Sequence, residues 1–188
     1  MSRPAVFLDR DGTLIEERGF PAQEQDIVPL PGVGAALARL REAGYLRVVL
    51  TNQSAIARGL YDEERLEALH ADLQRKLGAQ GGAVDAIYYC PHHPDGKAVA
   101  YAFACTCRKP ARGLLDLALR EQDVDLASSV FIGDAPRDMF PDAGPARARI
   151  LLRSGHPLPA DAKADHIADD LPAAVRWLLE SRNGAAAS

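Results

Sequence analysis

An apolar run, Ala5-Val6-Phe7-Leu8, stops at Asp9, and a second carboxylate, Asp11, follows with Gly12 and Thr13 behind it. Two acids at that spacing can work as a pair, one attacking an electrophile while the other handles the proton of the leaving group. A divalent cation would offset their mutual repulsion. Asp and Gly are also common turn residues, and a motif this short matches by chance, so the weight falls on what accompanies it. Three further polar sites recur along the chain: Thr51-Asn52, Lys109, and Asp134 with Asp138. Acid, hydroxyl, ammonium and acid are the set that phosphoryl transfer uses. A carboxylate attacks phosphorus. Magnesium holds the phosphate in line. A hydroxyl and an ammonium bind the equatorial oxygens, where charge gathers in the transition state.

A second cluster has a different character. All three cysteines fall in two tight pairs, Cys90-x-His92 and Cys105-x-Cys107. Four soft or borderline donors suit tetrahedral zinc, and four protein ligands leave no open position, so the metal is expected to be structural. His93 is the rival to His92. The alternative, buried free thiols beside a surface histidine, leaves the pairing of the cysteines unexplained. The expected task of the zinc is to pinch the 97–104 loop and hold Arg108 and Lys109 at the mouth of the site.

The elements that must position these residues alternate between strand and helix. Strands are expected at Ala5–Leu8, Leu46–Leu50, Ala86–Tyr89, Ser129–Ile132 and Ala148–Leu152. A helix is expected from Val33 to Ala43, with Val33, Ala36, Leu37 and Leu40 on its apolar face and Gly44 at C′. A second follows Asp62 as N-cap, with Leu66, Leu69, Leu73 and Leu77 on one face. Others are expected over Gly113–Glu121, near Arg137, and after Asp170-Leu171-Pro172. The pattern predicts an α/β domain built on a doubly wound parallel sheet. Apolar runs such as Ala5–Leu8 suit strands covered on both faces. The polar sites then stand at or just after carboxyl ends of parallel strands, which gather on one edge of the sheet. Residues 10–30 form a long loop, a length that is often functional. Residues 1–182 are expected to be one domain, with a zinc loop at 90–107, no large cap domain, and a flexible tail at 183–188.

Composition excludes several function classes. The 188 residues carry 22 basic and 26 acidic side chains, a net charge of −4. With no basic stripe, no nucleic-acid partner is expected. No apolar run reaches the length of a membrane span, and Met1-Ser2-Arg3-Pro4 shows no signal-peptide pattern. The expectation is a cytoplasmic monomer acting on a small phosphorylated molecule.

Asp9-Arg10-Asp11-Gly12-Thr13, Thr51-Asn52-Gln53-Ser54, Arg108-Lys109-Pro110 and Gly133-Asp134 with Asp138 resemble, in order, the four signature motifs of the haloacid dehalogenase superfamily. Ile56-Ala57-Arg58-Gly59 and Tyr89-Cys90-Pro91-His92-His93-Pro94 narrow the resemblance to the histidinol-phosphatase-like branch. Within it the chain is most similar to the heptose-1,7-bisphosphate phosphatases, from about residue 5 to residue 180. The resemblance implies a Rossmann-like fold and a Mg²⁺-dependent phosphatase working through an aspartyl-phosphate. Asp9 would be the nucleophile and Asp11 the acid, then base. Thr51 and Lys109 would bind the transferring group. Mg²⁺ would sit on Asp9, Asp134 and the backbone carbonyl of Asp11, with Asp138 supporting from behind. Arg18, Gly19, Phe20, Asn52, Gln53, Ser54 and Arg108 would face a sugar and its second phosphate. It implies the same four zinc ligands.

The chain departs from that pattern twice. Ala55 stands where relatives usually have glycine, which matters only if the position needs a positive φ. Ala135 stands where the heptose enzymes usually have lysine, leaving Arg137 or Arg112 as candidate replacements. Histidinol phosphate and a polynucleotide 3′-phosphate are the alternative substrates. A phospho-accepting receiver module is the non-enzyme alternative, disfavoured because its acceptor would lie on a later strand than its acid pair.

Overall fold

The computed structural model describes residues 2–153 and 163–185, with side chains to residue 181. Six parallel strands form one sheet: β1 (Ala5–Leu8), β2 (Leu46–Asn52), β3 (Ala86–Cys90), β4 (Val130–Gly133), β5 (Ala148–Leu152) and β6 (His166–Ala168). Their order across the sheet is β3-β2-β1-β4-β5-β6. The chain winds outward from β1 in one direction and from β4 in the other. Ligand crevices in such sheets form at the carboxyl ends where the order reverses, here between β1 and β4.

β1 is buried along its whole length because both of its faces are covered. Val6 and Leu8 pack on one side with helices α1 (Val33–Glu42), α2 (Glu63–Ala79) and α4 (Leu171–Ala185), through Leu37, Leu40, Leu69, Leu73, Leu77, Val175 and Leu178. Ala5 and Phe7 point the other way, onto Leu114, Leu115 and Ala118 of α3 (Gly113–Glu121) and onto Phe131 and Phe140. The period-two alternation of the strand thus feeds two cores at once.

Helix boundaries follow local chemistry. The Asp62 carboxylate accepts the Arg65 amide at 2.9 Å to open α2, and Asp170 accepts the Ala173 amide at 2.7 Å to open α4, both as N-caps. Gly44, at φ 87°, ends α1 in the left-handed region.

Several expectations are corrected. β2 runs on through Thr51 and Asn52 and β3 through Cys90, so these residues end their strands instead of following them. β4 is shifted by one, to Val130–Gly133. The turn at Arg137 is a 3₁₀ helix, Pro136–Met139. The three-residue edge strand β6 was not expected; its His166 stacks on Trp177 of α4 with centroids 4.3 Å apart. α4 continues through Ala185, so residues 183–185 of the expected tail are helical, and residues 186–188 lie outside the described residues.

The 10–30 loop is a folded flap. Glu16 N donates to Val28 O and Leu30 N to Leu14 O, and Leu14, Ile15 and Ile27 are buried in the main core. Neither this connection nor the β3–α3 connection, 91–112, contains a helix beyond the short 3₁₀ turn Glu24–Asp26, so among the described residues no large cap covers the sheet edge.

Candidate active site

The carboxyl ends of β1, β2 and β4 converge as the parallel sheet requires. Asp9 follows β1 directly, and its amide donates to Ile132 O of β4. Asp9 Oδ1 accepts the Arg10 amide at 2.7 Å and pairs with Lys109 Nζ at 2.9 Å. This leaves Oδ2 as the oxygen available to react. Lys109 arrives from the far end of the 91–108 loop, almost fully buried. Its Nζ also meets Asp138 Oδ1 at 2.7 Å and donates to Leu50 O at 2.6 Å. One ammonium therefore bridges two buried carboxylates. Burial works to lower the pKa of Lys109, but Asp138 and then Asp9 outweigh it, and the net direction is upward. Burial pushes Asp138 up to about 6, helped by Asp9 and opposed by Lys109.

Asp138 carries more than its expected supporting place. Its Oδ2 accepts the Ala135 amide at 3.0 Å, closing the turn that follows Asp134. Gly12 is the reason Asp134 can approach β1. A Cβ on Gly12 would lie 2.3 Å from Asp134 Oδ2, and its φ of +76° already favours glycine. Carboxylate oxygens of Asp9, Asp134 and Asp138 all lie within 4.8 Å of one another. These three acids, two of them paired with Lys109, form a hard-oxygen set with excess negative charge, which fits Mg²⁺.

A cavity of about 160 Å³ opens above Asp9 and Asp11. Of the residues expected there, Thr51, Asn52, Gln53, Ser54, Gly19, Phe20 and Arg108 line it, joined by Glu17 and Arg137. Arg18 does not line it, because its guanidinium turns outward to Glu16 Oε2, at 2.6 and 2.9 Å. Two of the lining side chains are already engaged. Asn52 Oδ1 accepts Lys109 N at 3.0 Å and its Nδ2 donates to Lys109 O at 3.2 Å, so Asn52 clamps the lysine backbone. Gln53 Nε2 donates to Asp11 Oδ2 at 2.8 Å and to Thr51 Oγ1 at 2.9 Å. Phe20 lies under the Arg58 guanidinium, 5.4 Å from its carbon to the ring centroid, which ties the flap to the β2–α2 turn.

The two departures from the family pattern resolve simply. Phe140 is the sole non-glycine residue at positive φ among the described residues, so Ala55 replaces glycine without backbone strain. Arg137 lines the cavity, whereas Arg112 is bound to Asp116 Oδ1 and Asp142 O.

Cys90, His92, Cys105 and Cys107 form one cluster, their ligand atoms all within 4.8 Å of one another. The sulfurs are 3.1 to 3.5 Å apart, and His92 Nδ1 stands 3.2 Å from Cys107 Sγ. A tetrahedron with Zn–S bonds of about 2.3 Å has edges of roughly 3.8 Å, so four small outward shifts would admit the ion. Burial pushes the Cys90 and Cys107 thiols above their ordinary range, while hydrogen bonds outweigh burial at Cys105 and lower it. His93, the rival ligand, instead accepts the Asp95 amide. The loop is pinned to the active-site turn: Gln53 N donates to Cys90 O, Ala57 N to Pro91 O, and Lys97 N and Ala98 N to Ala57 O.

Arg10 and His70 escaped sequence reasoning. Arg10 lies between the two acids yet is fully buried, and His70 sits on the buried face of α2. The signal for His70 was its place among Leu66, Leu69 and Leu73, where a helix turns inward; Arg10 gave none.

Sheet order, site and connections are those of a phosphatase with the haloacid dehalogenase fold. The family described as polynucleotide kinase 3 phosphatase matches residues 5–176. The D-glycero-beta-D-manno-heptose-1,7-bisphosphate 7-phosphatase of Photorhabdus laumondii is 40% identical over 181 residues, covering 93% of this chain and 96% of the relative. The D-glycero-D-manno-heptose-1,7-bisphosphate 7-phosphatase of Thermosynechococcus vestitus is 41% identical over 189 residues, covering 95% and 96%. The crystal structure of D,D-heptose 1,7-bisphosphate phosphatase from B. bronchiseptica, complexed with magnesium and phosphate, superposes with a TM-score of 0.78 at 36% identity. That match covers 95% of this chain and 99% of the other. The chain belongs to the polynucleotide kinase 3 phosphatase family, among its haloacid dehalogenase-fold phosphatases.

Proposed function

We propose that this phosphatase removes the 7-phosphate of D-glycero-D-manno-heptose 1,7-bisphosphate through an aspartyl-phosphate on Asp9. The observation that carries the reading is the asymmetry of the Asp9 carboxylate. Oδ1 is held by the Arg10 amide and Lys109, which fixes the group and leaves Oδ2 to attack phosphorus. The new Asp9 O–P bond forms as the P–O bond to the sugar breaks, and Asp11 supplies the proton to the departing alkoxide. Asp11 then takes a proton from the water that cleaves the aspartyl-phosphate, returning Asp9 and releasing inorganic phosphate. Thr51 bears on the transferring group from β2, and Lys109, its ammonium shared among Asp9, Asp138 and Leu50 O, acts on it through the Asp9 carboxylate it holds. Asp9, Asp134 and the Asp11 carbonyl would hold Mg²⁺, with Asp138 beside them. When bound, the ion would offset the negative charge of acids and phosphate. Zn²⁺ would close the Cys90, His92, Cys105 and Cys107 cluster and keep the 91–108 loop in place.

The substrate reading is supported by two arginines, Arg108 and Arg137, on the wall of the cavity above Asp9. A second phosphate needs such cations, and Arg137 can take the part of the missing lysine at Ala135. Histidinol phosphate has no second phosphate to meet them. Among the described residues no helix is long and apolar enough to cross a membrane. Three clustered cysteines that form no disulfide suit a reducing compartment such as the cytoplasm.

The test is phosphate release, with Mg²⁺, from both anomers of heptose 1,7-bisphosphate, from histidinol phosphate and from a 3′-phosphorylated oligonucleotide. The expected result is the highest kcat/KM on one heptose anomer, with Arg137→Ala raising its KM. A higher kcat/KM on histidinol phosphate or the oligonucleotide overturns the assignment.

A further inference from the structure

Beneath the cavity runs a chain of hydrogen bonds that the reaction steps above do not use. Arg10 Nε donates to Asp11 Oδ2 at 3.1 Å and Nη2 to Asp11 Oδ1 at 3.0 Å, a two-pronged fork on the carboxylate. Nη2 also donates to Gln53 Oε1 at 2.9 Å. Nη1 meets His70 Nε2 at 3.3 Å. A guanidinium has donors only, so His70 Nε2 must accept and the ring proton sits on Nδ1. His70 is held in turn by burial in α2 and by Tyr89 of β3, whose ring is tilted against it at 5.8 Å. Burial, and then the charge of Arg10, takes its pKa down to about 3, so it stays a neutral acceptor at neutral pH.

The Asp11 carboxylate is therefore fixed at both oxygens by groups that are themselves fixed. An aspartate on a loop has several rotamers open to it. Acid–base work needs one of them, within hydrogen-bond reach of the proton.

We propose that Arg10, locked by His70, is the positioning residue for Asp11. Arg10 holds the acid–base carboxylate in one orientation beside Asp9, and His70 acts by denying Arg10 any other orientation. Without the His70 acceptor, one buried guanidinium prong is unpaired and the fork can tilt, carrying Asp11 with it. Asp9 meets Arg10 only through the Arg10 backbone amide, and Lys109 is held by Asp9, Asp138 and Leu50 O, so this pair should keep its arrangement. The inference rests on the acid–base role proposed for Asp11. Wild-type turnover in Asp11→Asn would remove that role, whereas the variants below test the positioning itself.

His70→Phe fills the space and removes the acceptor; His70→Gln restores an acceptor oxygen. Each would be assayed with Mg²⁺ for kcat and KM, and by acid quench for the fraction of enzyme carrying phosphate during turnover. His70→Phe is expected to lose roughly 10- to 100-fold in kcat with KM unchanged or lowered, and to accumulate phosphoenzyme. Hydrolysis of the intermediate needs Asp11, whereas formation needs Asp9 first. His70→Gln is expected to recover most of the loss. A folded His70→Phe protein with wild-type kcat overturns the proposal, as does a loss carried by KM or one that His70→Gln fails to restore. If His70→Phe does not fold, Arg10→Lys keeps the charge and removes the fork. It should accumulate phosphoenzyme too, and wild-type turnover in it overturns the proposal.

Discussion

Acid should expose His70 before it exposes anything else about this network. The ring is 8% exposed, and burial together with Arg10 holds its pKa at about 3, against about 6.5 in an unfolded chain. A histidine depressed in the folded state contributes stability that is fully present above the unfolded value. That stability is lost as pH falls from about 6.5 toward 3, because the unfolded chain takes up the proton first. At pH 5 the unfolded His70 is protonated and the folded one is not. The gap of about 1.5 pH units costs about 2 kcal/mol, against about 0.2 kcal/mol at pH 7. His70→Gln removes the titration while keeping an acceptor for Arg10. Urea unfolding of both proteins at pH 7 and pH 5 isolates the effect, since every other group titrates alike in the two. Wild type should lose about 2 kcal/mol more than the variant between those pH values. Equal losses would refute the reasoning, showing that His70 is not a buried neutral acceptor on Arg10.

Asp9→Asn should abolish turnover with the fold intact, since an amide cannot form the acyl-phosphate, while Asp11→Asn should become phosphorylated slowly and stay so; ³¹P spectra of the trapped protein and phosphate release check both. Cys107→Ala should co-purify without zinc by elemental analysis, because three ligands hold the ion far less well than four, and hydrogen exchange should rise over residues 91–108 while the central sheet, with its own core, stays protected. Its activity should also fall, because Lys109 is tied to Asn52 only through the backbone that this loop delivers.

Acid-ended strands are a local signal. Ala5–Leu8 followed by Asp9, and Val130–Gly133 followed by Asp134, needed only an apolar run and the rule that parallel strands share one carboxyl edge. The cluster of Cys90, His92, Cys105 and Cys107 was equally legible, because side chains two residues apart on each side of one loop can be counted. Helix starts at Asp62 and Asp170 were legible because a cap bonds to amides three residues on. β6 was not, since three residues at a sheet edge carry too little pattern, and their pairing is decided by β5 beside them.

Partner choice belonged to the tertiary structure. Arg137 and Arg112 read alike in sequence, and only the packing of the 3₁₀ turn against β4 places one in the cavity and the other on Asp116. Arg18 and Arg10 are both arginines near the acids; one reaches a neighbouring glutamate in solvent and the other is buried against Asp11. Lys109 is named by its motif, but its pairing with both Asp9 and Asp138 depends on a strand, a loop and a turn meeting at one point. His70 lies sixty residues from Arg10. Periodicity assigns His70 to the inward face of α2, yet what it meets there is set by how the helix lies across the sheet. Propensity, capping and strand-end chemistry act over a few residues, so the sequence determined the elements and the types of group they carry. Contacts between distant side chains follow from close packing of those elements, and only the folded chain decided which carboxylate each buried cation would hold.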